Sequence, residues 1–139
     1  MQLREKLPEI ESHGARLACV VQGTAEEAAR FCGRHGLAEC AIPDPEKESF
    51  RAMGLGRCKV TDLLLPSDEL KMRRAEAAAL GCGISLRGTF QAHSDILQLP
   101  GAALVARGGR ILWLHRGAHP ADLPLPAQLA EVVRAHRPD

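Results

Sequence analysis

Five cysteines, Cys19, Cys32, Cys40, Cys58 and Cys82, are the residues of this chain best suited to covalent chemistry. A thiolate attacks peroxides, disulfides and metal ions, and two adjacent thiols can store two electrons as a disulfide. No two of them have Cys-x-x-Cys spacing, and no Cys/His group has the spacing of a zinc finger. Their odd number and wide separation fit a reduced, cytosolic protein better than a disulfide scaffold.

The surroundings of each thiol differ. Cys58 stands between Arg57 and Lys59 just after Gly56, in an expected loop. Two neighbouring cations would favour its thiolate form, so it is a redox candidate; an exposed cysteine without a role is the plainer alternative. Cys82, between Gly81 and Gly83, lies in a break where reagents could reach it. A Cys58–Cys82 disulfide is conceivable, but spacing alone does not supply its geometry. Cys32 follows Phe31 on an apolar helix face, where a free cysteine usually acts as a small hydrophobe; it remains the weakest redox candidate. Cys19 and Cys40 fall in apolar runs expected to be buried strands, so core packing is their reading.

Other motifs carry less. His115 and His119 are separated by three residues, but Gly117 and Pro120 argue against the helix that would align them on a metal. No metal and no cofactor are expected. Lys71-Met-Arg-Arg74 reads as a solvated basic helix face. The glycines at 81, 83, 88, 108 and 109 lack phosphate-loop spacing. Pro100 is marked as a cis-proline candidate, because X-Pro bonds are where cis peptides occur; a trans turn proline is the equal alternative.

The elements that must position these groups follow from periodicity. Leu3, Leu7 and Ile10 have helical spacing, with Pro8 inside the stretch and Gly14 as the stop. Arg16–Val21 predicts a buried strand. Thr24 and Glu27 form a capping box that opens a helix ended by Gly36. Ala38–Ile42 predicts a second strand, parallel to the first through a right-handed crossover. A turn at Pro43–Pro45 precedes a short helix over 46–53. Residues 57–66 are ambiguous, and Asp68–Leu80 is rich in helix formers. Gly101–Ala106 and Arg110–His115 flank a glycine turn and predict a β-hairpin. Gln128–His136 closes the chain as a helix, with Leu129, Val132 and Val133 facing inward.

The 139 residues suit one domain, 1–139, with a variable helical insertion at about 57–97. Hydrophobic residues make up 45% and charged residues 25%, ordinary for a globular protein. A net charge of +1 and 3% aromatics argue against a nucleic-acid partner. The longest apolar runs are too short to span a membrane, and the charged start is not a signal peptide, so a cytoplasmic location is expected.

In this order the elements resemble the peroxiredoxin-like branch of the AhpC/TSA (alkyl hydroperoxide reductase/thiol-specific antioxidant) group, which has a thioredoxin fold. The segments that carry the resemblance are Leu17–Gly23 with the Phe31-Cys32 helix, Asp44-Pro-Glu-Lys-Glu-Ser-Phe-Arg-Ala-Met-Gly-Leu55, and Gln98-Leu-Pro-Gly101 running through the hairpin to His115-Arg116. The resemblance implies an α/β sandwich, β-α-β then β-β-α around a central mixed sheet. It also implies thiol-dependent peroxide or disulfide chemistry, with a small peroxide substrate and a thiol reductant as partners.

Three departures follow. Such proteins carry a strand and a cysteine loop immediately before the helix that begins here near Leu3, and the sequence has neither, so the peroxidatic cysteine maps onto no residue. The arginine expected just before the strand at Gly101 is replaced by Pro100. The absent strand would be central, leaving a gap between strands 16–21 and 101–106 that costs unpaired backbone groups unless another segment or chain fills it. The expected function is therefore an antioxidant-type thiol protein, inactive as written. A redox-inactive thioredoxin-like binding module, such as a homodimer that completes its sheet between chains, is the alternative.

Overall fold

Leu3 and Ile10 lie on one face of the first helix, α1 (Gln2–Ser12), in the computed structural model, which describes residues 2–61, 68, 71, 72, 75 and 95–136. Pro8 sits inside α1 and removes the hydrogen bond to the Arg4 carbonyl, yet the helix continues to Ser12. Gly14 then takes a φ of +81°, a left-handed conformation that ends the helix at little cost for glycine.

Strand β1 (Cys19–Val21) follows, then α2 (Ala25–Arg34). The predicted capping box is present: the Thr24 amide donates to Glu27 Oε2 at 2.8 Å, and the Glu27 amide donates to Thr24 Oγ1 at 3.3 Å. The predicted strand over 38–42 is shorter than expected. Ala38–Cys40 forms a 3-10 turn closed by the Cys40 amide on the Leu37 carbonyl, and only Ala41–Pro43 extends as β2. Buried Leu37 anchors that turn. Strands β1 and β2 are parallel, with Val20 opposite Ile42. Short α3 (Glu48–Ala52) comes next. Of the helix expected over 68–80, residues 68, 71, 72 and 75 are described and are helical; its other residues and most of the 57–97 insertion lie outside the described residues.

The predicted hairpin is β3 (Gly101–Val105) and β4 (Ile111–Arg116), antiparallel, with a register shift at Leu104/Val105 and Gly109 at φ +85° in its turn. Helix α4 (Pro126–Ala135) closes the fold. Its Ala130 and Val133 pack on Ile10 of α1, with Leu3, Ala15 and Leu104 around them. Ala28 and Cys32 of α2 and Leu37 in the turn after it are also buried.

The architecture is α/β and thioredoxin-like, but its sheet is divided. Among the described residues β1 pairs only with β2, and β3 only with β4, so the expected single mixed sheet is two separate pairs. The division falls where the sequence predicts a gap, between the first strand and the strand at Gly101. It has a consequence for burial. Val20 and Ile42, register partners, are 40% and 46% exposed, and Val105 and Ile111 are 46% and 44% exposed. Cys19 and Cys40, expected to pack in the core, are only half-buried; α2 covers one side of the β1–β2 pair, and among the described residues β1 has no neighbour on its other edge.

Candidate functional site

Two of the three sequence stretches that carry the resemblance, Asp44–Leu55 and Gln98–Arg116, meet in space. In the first, buried Asp44 follows β2, and its amide donates to the Val21 carbonyl at 2.9 Å. Its carboxylate accepts the Glu48 and Ser49 amides, each at 2.9 Å, and the Ser49 hydroxyl. Desolvation pushes this carboxyl up, but the donors from Ser49 and Glu48 outweigh it and hold it below the ordinary range. Asp44 therefore shapes the start of α3. Lys47 between them adopts a left-handed backbone, φ 54° and ψ 36°, which costs a non-glycine residue about 1 kcal/mol.

Lys47 is held there by an ion pair. Its Nζ lies 2.7 Å from Asp95 Oδ2. Arg57 binds the same carboxylate through both terminal nitrogens, NH2 to Oδ1 at 3.2 Å. Gln22, at the end of β1, clasps the Asp95 backbone: its Nε2 donates to the Asp95 carbonyl at 3.0 Å, and the Asp95 amide donates to its Oε1 at 3.2 Å. Burial raises the Asp95 carboxyl, yet the Lys47 hydrogen bond, the Leu97 amide and the charges of Lys47 and Arg57 together hold it low. The site thus gathers groups from the ends of β1 and β2, where open parallel sheets generally place their ligands.

Cys58 borders this network. Its amide donates to the Leu97 carbonyl at 2.8 Å, Arg57 bridges Gln98, and the Leu99 amide reaches the Gly56 carbonyl at 3.0 Å. Residues 56–58 therefore lie alongside 97–99 and bring Cys58 within a few residues of Pro100. Cys58 is a half-buried free thiol. Of the two flanking cations expected to favour its thiolate, Arg57 is paired with Asp95. Cys82 lies outside the described residues, and the Cys58–Cys82 disulfide with it. The bond before Pro100 is trans, so the cis alternative is not the one adopted.

The second stretch closes the other side. Gly101 packs so tightly that a Cβ there would meet Leu55 and, at 2.9 Å, the His115 carbonyl. Arg116 Nε donates to the Met53 carbonyl at 2.7 Å, beside Gly54 at φ +66°. His115 Nε2 lies 3.1 Å from Asp122 Oδ1, and Asp122 Oδ2 accepts the Ala118 amide at 2.8 Å. Burial raises Asp122, but the Ala118 amide and the neighbouring His115 and His119 hold it low. The His119 Nδ1 is shielded and has no hydrogen-bond partner among the described residues. Those residues hold no group of three or more His, Cys, Asp or Glu side chains arranged for a metal ion.

A family model described as AhpC/TSA antioxidant enzyme matches residues 2–119, most of the chain. The chain belongs to the AhpC/TSA antioxidant enzyme family. With that membership comes a general thiol-redox role on a thioredoxin-like scaffold. Neither the curated proteins nor the solved structures gave a match. The family stretch includes Asp44, Asp95, Pro100 and His115, so the ion-pair network lies within the part that defines this AhpC/TSA protein. No described helix is long and apolar enough to cross a membrane.

Sequence reasoning missed Asp95 and Gln22. Asp95 sits where the sequence has no firm period, and Gln22 looks like an ordinary turn residue. Asp44 stood inside a recognised motif, but its role required seeing which amides its carboxylate meets.

Proposed function

We propose that this AhpC/TSA protein belongs to thiol-dependent peroxide or disulfide redox chemistry, and that residues 1–139 supply the scaffold without the attacking thiolate. The observation that carries this is the meeting of the Asp44–Leu55 and Gln98–Arg116 family stretches, through Lys47 on Asp95, Arg57 paired with Gln98 and Arg116 on the Met53 carbonyl. In such chemistry a thiolate attacks the peroxide oxygen and becomes a sulfenic acid while the alcohol or water leaves. A second thiol then displaces water to give a disulfide, which a reductant returns to two thiols. A cysteine at a helix N-terminus is suited to the first step, because the helix favours the anion. Cys58, which borders the Asp95 network, has its flanking arginine paired with Asp95.

The test is a coupled peroxidase assay of residues 1–139 with hydrogen peroxide and a dithiol reductant. Little or no turnover is expected. Robust turnover that disappears in Cys58→Ser would overturn the assignment.

A second reading, a thioredoxin-like binding module that self-associates, is favoured by the open faces at Val20–Ile42 and Val105–Ile111. Sedimentation over a wide concentration range tests it. A cooperatively folded monomer throughout counts against self-association, and a dimer dispersed by Val20→Lys supports it.

A further inference from the structure

Helix α2 buries Ala28 and Cys32, whereas Phe31 beside them is left 47% exposed. A lone exposed ring needs no explanation, but this one has cations around it. The Arg34 guanidinium carbon lies 5.9 Å from the ring centroid, within cation–π range. The His35 imidazole meets the ring edge-on, with centroids 5.2 Å apart. A second guanidinium arrives from another element. Gly36 follows the helix at φ +68°, and a Cβ there would stand 2.9 Å from both Cδ and Nη1 of Arg4. The Arg4 side chain, from the first turn of α1, therefore lies against the bare glycine that follows His35.

The carboxylates of α2 do not serve these cations. Glu26 pairs with Arg30 at 2.8 Å, and Glu27 is held in the capping box at the opposite end. Among the described residues neither Arg4 nor Arg34 has an ion pair, and exposed Glu39 in the next turn joins neither. A cation at a helix C-terminus complements the helix dipole, which accounts for Arg34. It does not account for Arg4, which sits unpaired in the N-terminal turn of α1, where the dipole disfavours positive charge.

We propose that Phe31, Arg4, Arg34 and His35 form a docking surface for an acidic peptide segment of another protein, one whose carboxylates flank an apolar side chain. The apolar side chain covers the Phe31 ring. The carboxylates pair with the two guanidiniums, whose planar forks suit them. Aromatic and arginine side chains are the usual anchors of such contacts. Charge complementarity selects this occupant. A membrane fits poorly, because the buried face of α2 is spent on the fold and Phe31 alone is left to insert. Nucleic acid fits poorly too, because the patch offers it only Arg4 and Arg34, on a chain of net charge +1. The contact is small, so binding is weak, transient and salt-dependent. No residue that carries the redox reading or the self-association reading takes part, so the inference stands or falls apart from both.

The probe is the peptide acetyl-Glu-Glu-Leu-Glu-Glu-amide, titrated into isotope-labelled residues 1–139 and followed by amide chemical shifts at low and physiological salt. Saturable binding that weakens with salt is expected, with the largest shifts from Phe31 to Gly36. These wild-type shifts locate the site without any substitution. Phe31→Ser, Arg34→Glu and Arg4→Glu, all at exposed helix positions, should each weaken binding about tenfold. Arg110→Glu, exposed at the hairpin turn, should leave it unchanged. Absence of saturable binding, shifts centred away from α2, an equal loss in Arg110→Glu, or equal binding of the matched lysine peptide would overturn the proposal. Vesicles of phosphatidylserine or a DNA duplex that bind through Arg34 where the peptide does not would overturn it as well. Self-association abolished by Arg34→Glu would make a second copy the occupant and overturn it too.

Discussion

The guanidinium of Arg57 is bound to the carboxylate of Asp95, thirty-eight positions along the chain, although its sequence neighbour is the thiol of Cys58. The same carboxylate holds Lys47 at 2.7 Å. One acidic side chain therefore holds two cations and ties the residues after β2 to the segment that leads into β3.

Replacing Asp95 with alanine should release both cations. The loss of a partly buried, charge-assisted network should cost roughly 1–3 kcal/mol of stability. It should also raise the alkylation rate of Cys58, because Arg57 would lose its competing partner. Denaturant melts and mass-resolved thiol labelling read the two effects. An unchanged Cys58 rate in a folded Asp95→Ala variant would show that Arg57 does not act on that thiol.

Acid stability should depend on Asp44, Asp95 and Asp122, whose carboxyls are all held below the ordinary range. A carboxyl lowered in the folded state stabilises fully above its unfolded pKa, about 4, and loses that contribution as pH falls through the lower folded value. Wild-type stability should therefore fall as pH drops below about 4. Asp95→Asn should be less stable at neutral pH and show a shallower acid decline. Equilibrium melts from neutral pH to pH 2 provide the comparison, and parallel curves for the two proteins would contradict the assignment.

The turn after β4 should tolerate no side chain at Gly117. A Cβ there would lie 2.8 Å from the Pro100 carbonyl and 2.9 Å from the Asp122 carbonyl. The Gly117 amide already donates to Pro100 at 2.8 Å, so the backbone has little room to retreat. Gly117→Ala should destabilise by about 1–3 kcal/mol, the range for overpacking a close contact. Gly108→Ala, where nothing lies within 4 Å, is the control and should be nearly neutral. Equal losses at the two positions would mean that backbone freedom, not packing, decides.

What the sequence revealed was mostly local. Thr24 and Glu27 announce a capping box because their hydroxyl and carboxylate meet amides three residues apart. The hairpin is legible from its glycine turn, and the helix ends from Gly14 and Gly36. The limits are long-range. Asp95 finds Lys47 and Arg57 only once 48 and 38 residues of chain have folded back, and nothing near it in sequence marks that. Ala130, 2% exposed at the α1–α4 contact, carries no more signal in the sequence than any other alanine. The apolar runs around Val20 and Ile42 look like core, and are open because burial depends on a neighbouring strand, which a local pattern does not report.

Cys19 supplies a prediction that needs no substitution. Burial first, then the nearby thiols, push it up to about 12, so on the order of one molecule in 10⁵ carries its thiolate at neutral pH. Alkylation requires the thiolate, so native Cys19 should react far more slowly than a model thiol and become reactive when the chain is unfolded. Quantifying the labelled tryptic peptide 17–30 at intervals, with and without denaturant, measures the difference. If Cys19 labels in the native chain as fast as in the unfolded one, burial between β1 and α2 does not hold its thiol protonated.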